Sequence, residues 1–228
     1  MSGLTTADAF TAGAFTAAEA AAWIRRAAEL VSADADRLTR LDAAIGDGDH
    51  GLNLDRGFAA AVEALPGGVP PGRVLIAAGR AIVSKTGGAS GPLYGTALRR
   101  AGKALGDTEE ASAAQLGEAL TAAVTGIREL GGAQPGDKTM LDALTPAAEA
   151  FAASAEQGVP AAARAALEAA EQGAEATVPL VARKGRASYL GERSAGHLDP
   201  GAASSVLLLR ALADVTATSL SAPGPTET

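Results

Sequence analysis

The feature that most constrains the fold is the spacing of the apolar residues, which recur every three to four positions in segments that end at glycine or proline. The first segment begins at Thr16 with a capping-box pattern completed by Glu19, and it extends to Ile45. Further segments with the same period end near Pro66 and Gly87. Counted in this way the chain contains about eight helices, and no segment shows the alternation of a strand. The predicted fold class is therefore all-α.

The composition favours the same fold. Hydrophobic residues make up 47% of the chain and aromatic residues only 3%, so the core must consist of alanine, leucine and valine, a mixture that suits closely packed helices. A chain of 228 residues is long enough for one substantial core. We expect a single helical domain over residues 1–220 and a disordered polar tail at 221–228.

The charge and the missing cysteines exclude several classes of function. A net charge of −7 argues against nucleic acid and anionic membranes as partners, because both require a basic surface. The absence of cysteine excludes disulfides, thiolate metal sites and cysteine nucleophiles, and it fits a reducing compartment. No basic region precedes the first apolar residues, and the longest apolar stretches are interrupted before they reach the length of a membrane span. A cytoplasmic location is expected.

The most unusual stretch is GDGDHG, at residues 46–51, where acidic residues and glycines are concentrated. Its glycines form a GxGxxG pattern, but a predicted helix precedes it instead of a strand, and its carboxylates would repel a pyrophosphate, so a dinucleotide fold is rejected. An EF-hand is rejected as well, because Leu52 and Phe58 occupy the positions that require glycine and glutamate.

Three aspartates of this region, Asp42, Asp47 and Asp49, remain as candidate metal ligands. A Mg²⁺ ion prefers a few carboxylates together with water and substrate phosphates, and the glycines allow the two later aspartates to face one ion. The alternative, that the aspartates only cap helices and form turns, is equally consistent with the local sequence.

Three other loops have compositions that suit an anion. The loops at 87–95 and 131–139 are rich in glycine and precede helices, where free amides attract negative charge, and we expect Ser90 and Asp137 to cap those helices. The loop at 183–201 concentrates arginine and lysine, which suit phosphate. Each loop taken alone is explained as well by an ordinary connection or by favourable charge at a helix end.

The combination is more informative than its parts. A carboxylate cluster, two glycine-rich helix entries and a basic loop are complementary parts of a site for Mg²⁺ and nucleotide phosphates. A hydrolase triad made of Ser194, His197 and Asp199 is rejected, since residues so close in sequence rarely converge and no nucleophile elbow is present.

Four segments resemble a known family: DAAIGDGDHGLNLDRGF, GGASGPLYGT, PGDKTMLDAL and ARKGRASYLGERSAGHLDPGA. Together, from Asp42 to about Ser205, they are similar to the L subunit of dihydroxyacetone kinase. The resemblance implies a closed barrel of eight antiparallel helices that holds a nucleotide in loops at one end.

The resemblance also implies roles for individual residues. Asp42, Asp47 and Asp49 would hold two Mg²⁺ ions that bridge the phosphates of ADP or ATP. The residues expected around the nucleotide are His50, Asn53, Ala89, Ser90, Gly131, Thr139, Met140, Arg186, Asp199, Pro200 and Gly201. Arg186 is the expected catalytic residue, since its charge would stabilise the transferring phosphoryl group.

The family further implies partners. A K subunit would hold dihydroxyacetone, and ADP bound to this chain would be rephosphorylated by a phosphohistidine on an M subunit, or exchanged for ATP. The sequence leaves other acceptors open, such as erythrulose, as well as a non-catalytic nucleotide-loaded regulatory module and a Mg²⁺-dependent phosphohydrolase. It also leaves the oligomeric state open, with a homodimer as one option.

Overall fold

The computed structural model describes residues 14–219, whose regular secondary structure is almost entirely helical. The eight α-helices of this part are α1 (Ala17–Ile45), α2 (His50–Glu63), α3 (Pro71–Lys85), α4 (Ser90–Leu105), α5 (Ala113–Gly131), α6 (Leu141–Ala153), α7 (Val159–Glu175) and α8 (Pro200–Ser219). Two 3₁₀ helices, Ala155–Gln157 and Arg186–Ser194, and a two-residue antiparallel pair of β1 (Phe15–Thr16) with β2 (Glu110–Ala111) complete it. The all-α prediction is confirmed, while the predicted tail at 221–228 lies outside the described residues.

The start of α1 follows the sequence pattern closely. The Thr16 side chain accepts a hydrogen bond from the backbone at the start of the helix, and the backbone N–H of Thr16 donates to Glu19 at 3.1 Å, which completes the capping box. The apolar face of α1 is buried, and the indole N–H of Trp23 donates to the Leu208 carbonyl at 2.8 Å. This bond joins the first helix to the last.

The helices form a ring of neighbours. Each contacts the next one along the chain, and α8 returns to contact α1. One hydrophobic cluster takes buried residues from all eight helices, with alanine and leucine predominating. This arrangement is compatible with the closed barrel that the family resemblance implies. No helix within residues 14–219 is long and apolar enough to cross a membrane.

Helices α3 and α4 pack unusually closely through glycine. A Cβ atom at Gly72 would lie 2.5 Å from the Gly102 carbonyl oxygen, and one at Gly79 would lie 2.6 Å from that of Gly95. Real Cβ atoms do not approach backbone oxygen so closely, so these positions require glycine. The side chains that flank the glycine contact on α3 and α4 are therefore brought close together.

Two predicted caps differ from the structure. Ala89 already has helical dihedral angles and occupies the N-cap position of α4, so Ser90 lies inside the first turn and its side chain caps nothing. Asp137 lies too far before α6 to cap it, and its carboxylate accepts from the Gln134 N–H at 2.9 Å within the loop. The N-cap residue of α6, Met140, makes no side-chain capping bond, and Asp142 in the first turn accepts from the Thr139 N–H of the loop at 2.7 Å.

Candidate functional site

The three aspartates converge where α1 ends and α2 begins. One carboxylate oxygen from each of Asp42, Asp47 and Asp49 lies within 4.8 Å of the others. Asp42 sits in the last turn of α1, and the other two follow on the turn whose Gly48 has a φ of +73°, a conformation that favours glycine. The sequence-predicted cluster is therefore present as a set of three neighbouring oxygen donors.

Asp42 organises this turn. It is 8% exposed, and its Oδ2 accepts hydrogen bonds from the backbone N–H of Asp49 at 2.9 Å and of His50 at 3.2 Å. The interpretation of these aspartates as capping residues is thus correct for Asp42, which satisfies amides at the start of α2. Asp49 occupies the N-cap position of α2, but its side chain makes no capping bond. A side chain at Gly46 would collide with the Asp42 carboxylate.

The donor chemistry of the cluster fits a hard divalent cation. Three carboxylates so close together repel each other unless positive charge is supplied, and oxygen donors on a kinked loop suit Mg²⁺. The one ion pair to the cluster within the described residues joins Arg186 Nη2 to Asp47 Oδ2 at 3.0 Å. Arg186 is 65% exposed in its side chain, so this pair is weak and leaves most of the negative charge uncompensated.

A cavity of about 270 Å³ opens beside the aspartates. It is lined by all but one of the residues that the sequence predicted for the site: Asp42, Asp47, Asp49, His50, Ala89, Ser90, Gly131, Thr139, Met140, Arg186, Asp199, Pro200 and Gly201. The structure thus brings together the acidic turn, both glycine-rich loops and the basic loop, although they lie far apart in sequence.

Asn53 is the exception. It lies one turn into α2, is 5% exposed, and its Oδ1 accepts from Arg56 Nη2 at 2.5 Å. A Cβ atom at Gly87 would lie 3.0 Å from the same oxygen, so Asn53 packs directly beneath the loop that leads to Ser90. Asn53 therefore lies behind the cavity wall that this loop forms, and it supports the loop from below.

His50 belongs to a buried polar network. Its Nε2 lies 2.9 Å from Ser204 Oγ, and the Tyr94 hydroxyl lies 2.7 Å from Ser204 Oγ and 2.9 Å from Ser205 Oγ. Burial lowers the pKa of His50, against the opposing effect of the nearby Asp42 and Asp49. The network fixes α2, α4 and α8 relative to each other at the floor of the cavity.

Sequence reasoning missed Lys138, which lines the cavity from a backbone conformation with φ of 62°. Lys138 is 1% exposed, and its Nζ donates to the carbonyls of Thr177 at 2.5 Å, Val178 at 3.4 Å and His197 at 2.5 Å. Burial lowers its pKa, against Asp199 and Asp142. All three donors are used on backbone carbonyls, so Lys138 ties three loops together.

Other missed residues form the apolar wall of the cavity and its basic rim. They are Ile45, Leu93, Ile127, Ala133, Leu141 and Lys184. Of these residues, only Lys184 could have been predicted from the sequence, because it belongs to the basic loop at 183–201. The apolar residues could not be distinguished from ordinary core positions, because the helical period that buries a residue does not indicate whether it faces another side chain or a cavity.

Asp199 immediately precedes α8 and lines the cavity. Its Oδ2 accepts from the Ala202 N–H at 2.7 Å, and its own N–H donates to Thr177 Oγ1 at 3.0 Å. Burial raises the pKa of Asp199 to about 7, although the Ala202 N–H and Lys138 act in the other direction. Asp199 is therefore a buried capping carboxyl whose ionised form is disfavoured.

Comparison with known proteins places this geometry in a family. The model of the DAK2 domain matches residues 44–214. The chain is 44% identical over 195 residues to the PEP-dependent dihydroxyacetone kinase, ADP-binding subunit DhaL, of Escherichia coli, and the match covers 84% of this chain and 93% of that protein. It is 43% identical over 192 residues to the ADP-binding subunit DhaL of PEP-dependent dihydroxyacetone kinase 1 of Listeria innocua, and the match covers 83% of this chain and 92% of that protein.

A solved structure agrees with this. The dihydroxyacetone kinase from C. freundii, in complex with AMP-PNP and Mg²⁺, is similar with a TM-score of 0.66 and 27% identity. The match covers 94% of this chain and 36% of that kinase, so the chain spans about a third of its length. The chain belongs to the DAK2 domain family, and the predicted resemblance to the L subunits of dihydroxyacetone kinases is confirmed.

Proposed function

We propose that this chain is the ADP-binding subunit of a dihydroxyacetone kinase, which binds adenine nucleotide in the 270 Å³ cavity and transfers a phosphoryl group to dihydroxyacetone held by a separate K subunit. One observation carries the proposal. Within a single cavity, a cluster of three carboxylates lies opposite a basic loop, in a chain that aligns with 93% of a relative described as such a subunit.

The acidic turn is the proposed metal site. Asp42, Asp47 and Asp49 would hold two Mg²⁺ ions, and the buried Asp42, fixed by two backbone amides, sets the position of the turn. When bound, the metal supplies positive charge that offsets the charge of the phosphates.

The rest of the cavity supplies the remaining requirements of a nucleotide site. The first turn of α4 at Ser90 and the loop before Thr139 present helix N-termini, which favour anions. Leu93, Ile127 and Met140 form an apolar wall suited to a base. His50, held in place by Ser204, would contact the nucleotide. Ala89, Gly131 and the turn from Asp199 to Gly201 would contact it as well. Asn53 would act indirectly, by supporting the loop that leads to Ser90.

Arg186 is the proposed catalytic residue. Its guanidinium reaches the acidic turn, 3.0 Å from Asp47, while remaining largely exposed, so it is free to turn towards a phosphoryl group. A cation placed where negative charge develops stabilises the transition state. No general base is needed on this chain if the acceptor hydroxyl is activated on the partner.

The phosphoryl donor is the second part of the proposal. The relatives from E. coli and L. innocua are described as PEP-dependent, which supports rephosphorylation of bound ADP by a phosphohistidine on an M subunit. A second acceptor has specific support, because the D-erythrulose kinase of Mycolicibacterium smegmatis is 42% identical over 193 residues, which are 33% of its length. An ATP-fed subunit for a small ketose is therefore the alternative.

A reconstitution distinguishes these possibilities. Purified chain is mixed with K subunit, with dihydroxyacetone or erythrulose, and with either phosphorylated M subunit or ATP, and the sugar phosphate is measured. We expect dihydroxyacetone phosphate with phosphorylated M subunit. Formation of sugar phosphate only with erythrulose and ATP would favour the alternative. If no mixture gives sugar phosphate, the chain would instead be a non-catalytic regulatory module. Release of inorganic phosphate without any partner would indicate a hydrolase.

A further inference from the structure

The basic residues of this acidic chain are segregated. Residues 64–106 contain six of its 19 basic residues and none of its 26 acidic ones. The six are Arg73, Arg80, Lys85, Arg99, Arg100 and Lys103. All of them lie on α3 or α4, so two consecutive helices are purely basic while the remainder of the chain is more acidic than its net charge suggests.

The close packing of α3 and α4 combines these charges into one surface. Because Gly72 and Gly79 contact the backbone of α4, the side chains that flank the contact are also brought together. A Cβ atom at Gly79 would lie 2.9 Å from Arg99 Cγ, so the stem of Arg99 lies across α3 next to Arg80. With ordinary side chains at the glycine positions the two helices would be further apart and their charges more dispersed.

A groove of about 830 Å³ runs along this helix pair, and we call it the basic groove. The exposed side chains of Arg73, Arg80, Arg99 and Lys103 line it, together with the half-buried apolar residues Pro66, Val69, Pro70, Ile76 and Ala77. It shares no residue with the nucleotide cavity. The basic groove thus combines cationic and apolar surface away from the site described above.

Most of the positive charge in the basic groove has no acidic partner within the described residues. Arg73 pairs with Asp107 at 3.0 Å, both side chains being more than half exposed. Between residues 14 and 219, Arg80, Arg99 and Lys103 make no ion pair and no side-chain hydrogen bond. Three neighbouring cations without local partners repel each other, and an external anionic group would relieve that repulsion.

We propose that the basic groove is a docking site for an acidic amphipathic helix of a partner protein. On α3 the groove residues run from Arg73 to Arg80, about 10 Å, so about two turns of a partner helix would lie along it. Apolar residues on one face of such a helix would contact Val69 and Ile76, while flanking acidic residues would reach the arginines. Charge complementarity would guide the partner to this face, since the rest of the chain repels acidic proteins.

Other polyanions fit the groove less well. A single-stranded nucleic acid is normally bound through aromatic side chains on which bases stack, and none lines the basic groove. A flat anionic bilayer would contact the tips of the basic side chains but could not reach the concave apolar residues between them. The apolar floor therefore favours a protein segment, and this inference stands independently of the proposed kinase function.

The test measures binding of a defined probe to the full chain. The probe is a fluorescent 16-residue helical peptide with leucine on one face and glutamate on the others, and a second peptide carries glutamine in place of glutamate. By fluorescence anisotropy at low salt we expect the glutamate peptide to bind and the glutamine peptide not to. Binding should weaken as salt is raised. The triple variant Arg80→Glu, Arg99→Glu, Lys103→Glu should bind the acidic peptide at least ~10-fold more weakly.

A matched control separates docking from overall charge. The triple variant Arg25→Glu, Arg40→Glu, Arg164→Glu changes the net charge equally, at exposed residues outside the groove, and should bind like the original chain. Circular dichroism of both variants checks that the helices persist. The proposal is overturned if the original chain does not bind the acidic peptide, or if both variants lose binding equally. It is also overturned if an oligonucleotide of equal charge, or phosphatidylserine vesicles, binds the groove more tightly than the peptide.

Discussion

Replacing Asp199 by asparagine should change how the stability of the nucleotide-free protein depends on pH. Burial raises the pKa of Asp199 from its ordinary value of 3.8 to about 7, so between these values the folded chain holds a proton that the unfolded chain releases. The free energy of unfolding therefore falls as pH rises through this window. At about 1.36 kcal/mol for each pKa unit, the full effect is as much as about 4 kcal/mol.

Asp199→Asn removes the titration but keeps the cap. The amide oxygen of asparagine can still accept from the Ala202 N–H, which Asp199 accepts at 2.7 Å. The pKa of about 7 already includes the stabilising effect of the Ala202 N–H on the carboxylate. The variant should therefore match the original chain near pH 4 and exceed its stability by roughly 3–4 kcal/mol at pH 7.5.

The assay is urea unfolding of nucleotide-free protein at half-unit steps between pH 4 and pH 8, followed by circular dichroism. Asp36→Asn, which removes an exposed carboxylate from α1, controls for the change in net charge. A stability difference between the Asp199→Asn variant and the original chain that stays constant across this range, or falls towards pH 8, would refute the reasoning about burial of this carboxyl.

The remaining predictions concern the proposed metal site, the buried Lys138 and the glycine contact between α3 and α4. Asp47→Ala and Asp49→Ala should each abolish retention of adenine nucleotide in Mg²⁺ while circular dichroism stays unchanged; retention by both variants would contradict the assignment of the metal ligands. Lys138→Met should lower the free energy of unfolding by roughly 2–4 kcal/mol in urea, because buried carbonyls lose their donor. Gly79→Ala should destabilise by about 1–3 kcal/mol because a Cβ would meet α4, whereas Gly67→Ala, with open space around it, should change stability by less than ~0.5 kcal/mol.

Local chemistry made much of this protein predictable. Thr16 and Glu19 define the start of α1 through bonds within one turn, so the pattern alone was sufficient. The convergence of Asp47 and Asp49 could be anticipated for the same reason, since both lie on one glycine turn. In such cases the interaction that fixes the structure lies within a few residues of sequence.

The features that were missed depend on contacts between distant segments. Lys138 is buried only because the carbonyls of Thr177 and His197 surround its ammonium group. Asp137 was expected to cap a helix, but the chain makes a further turn before α6, so the Asp137 carboxylate bonds within the loop instead. Neither outcome is encoded in local spacing, because each depends on where a loop lies after the helices have packed.

The contact between α2 and α8 affects the order in which the site forms. His50, beside the acidic turn, bonds to Ser204, 154 residues further along. At roughly 5–20 residues per second of synthesis, about 8 to 30 s pass between the appearance of these two residues. An unfinished chain has the three clustered aspartates but neither Arg186 nor α8, and so it lacks the far wall of the cavity. Tight nucleotide binding would thus report that the whole ring has closed, and the bound nucleotide would protect only finished molecules from proteolysis.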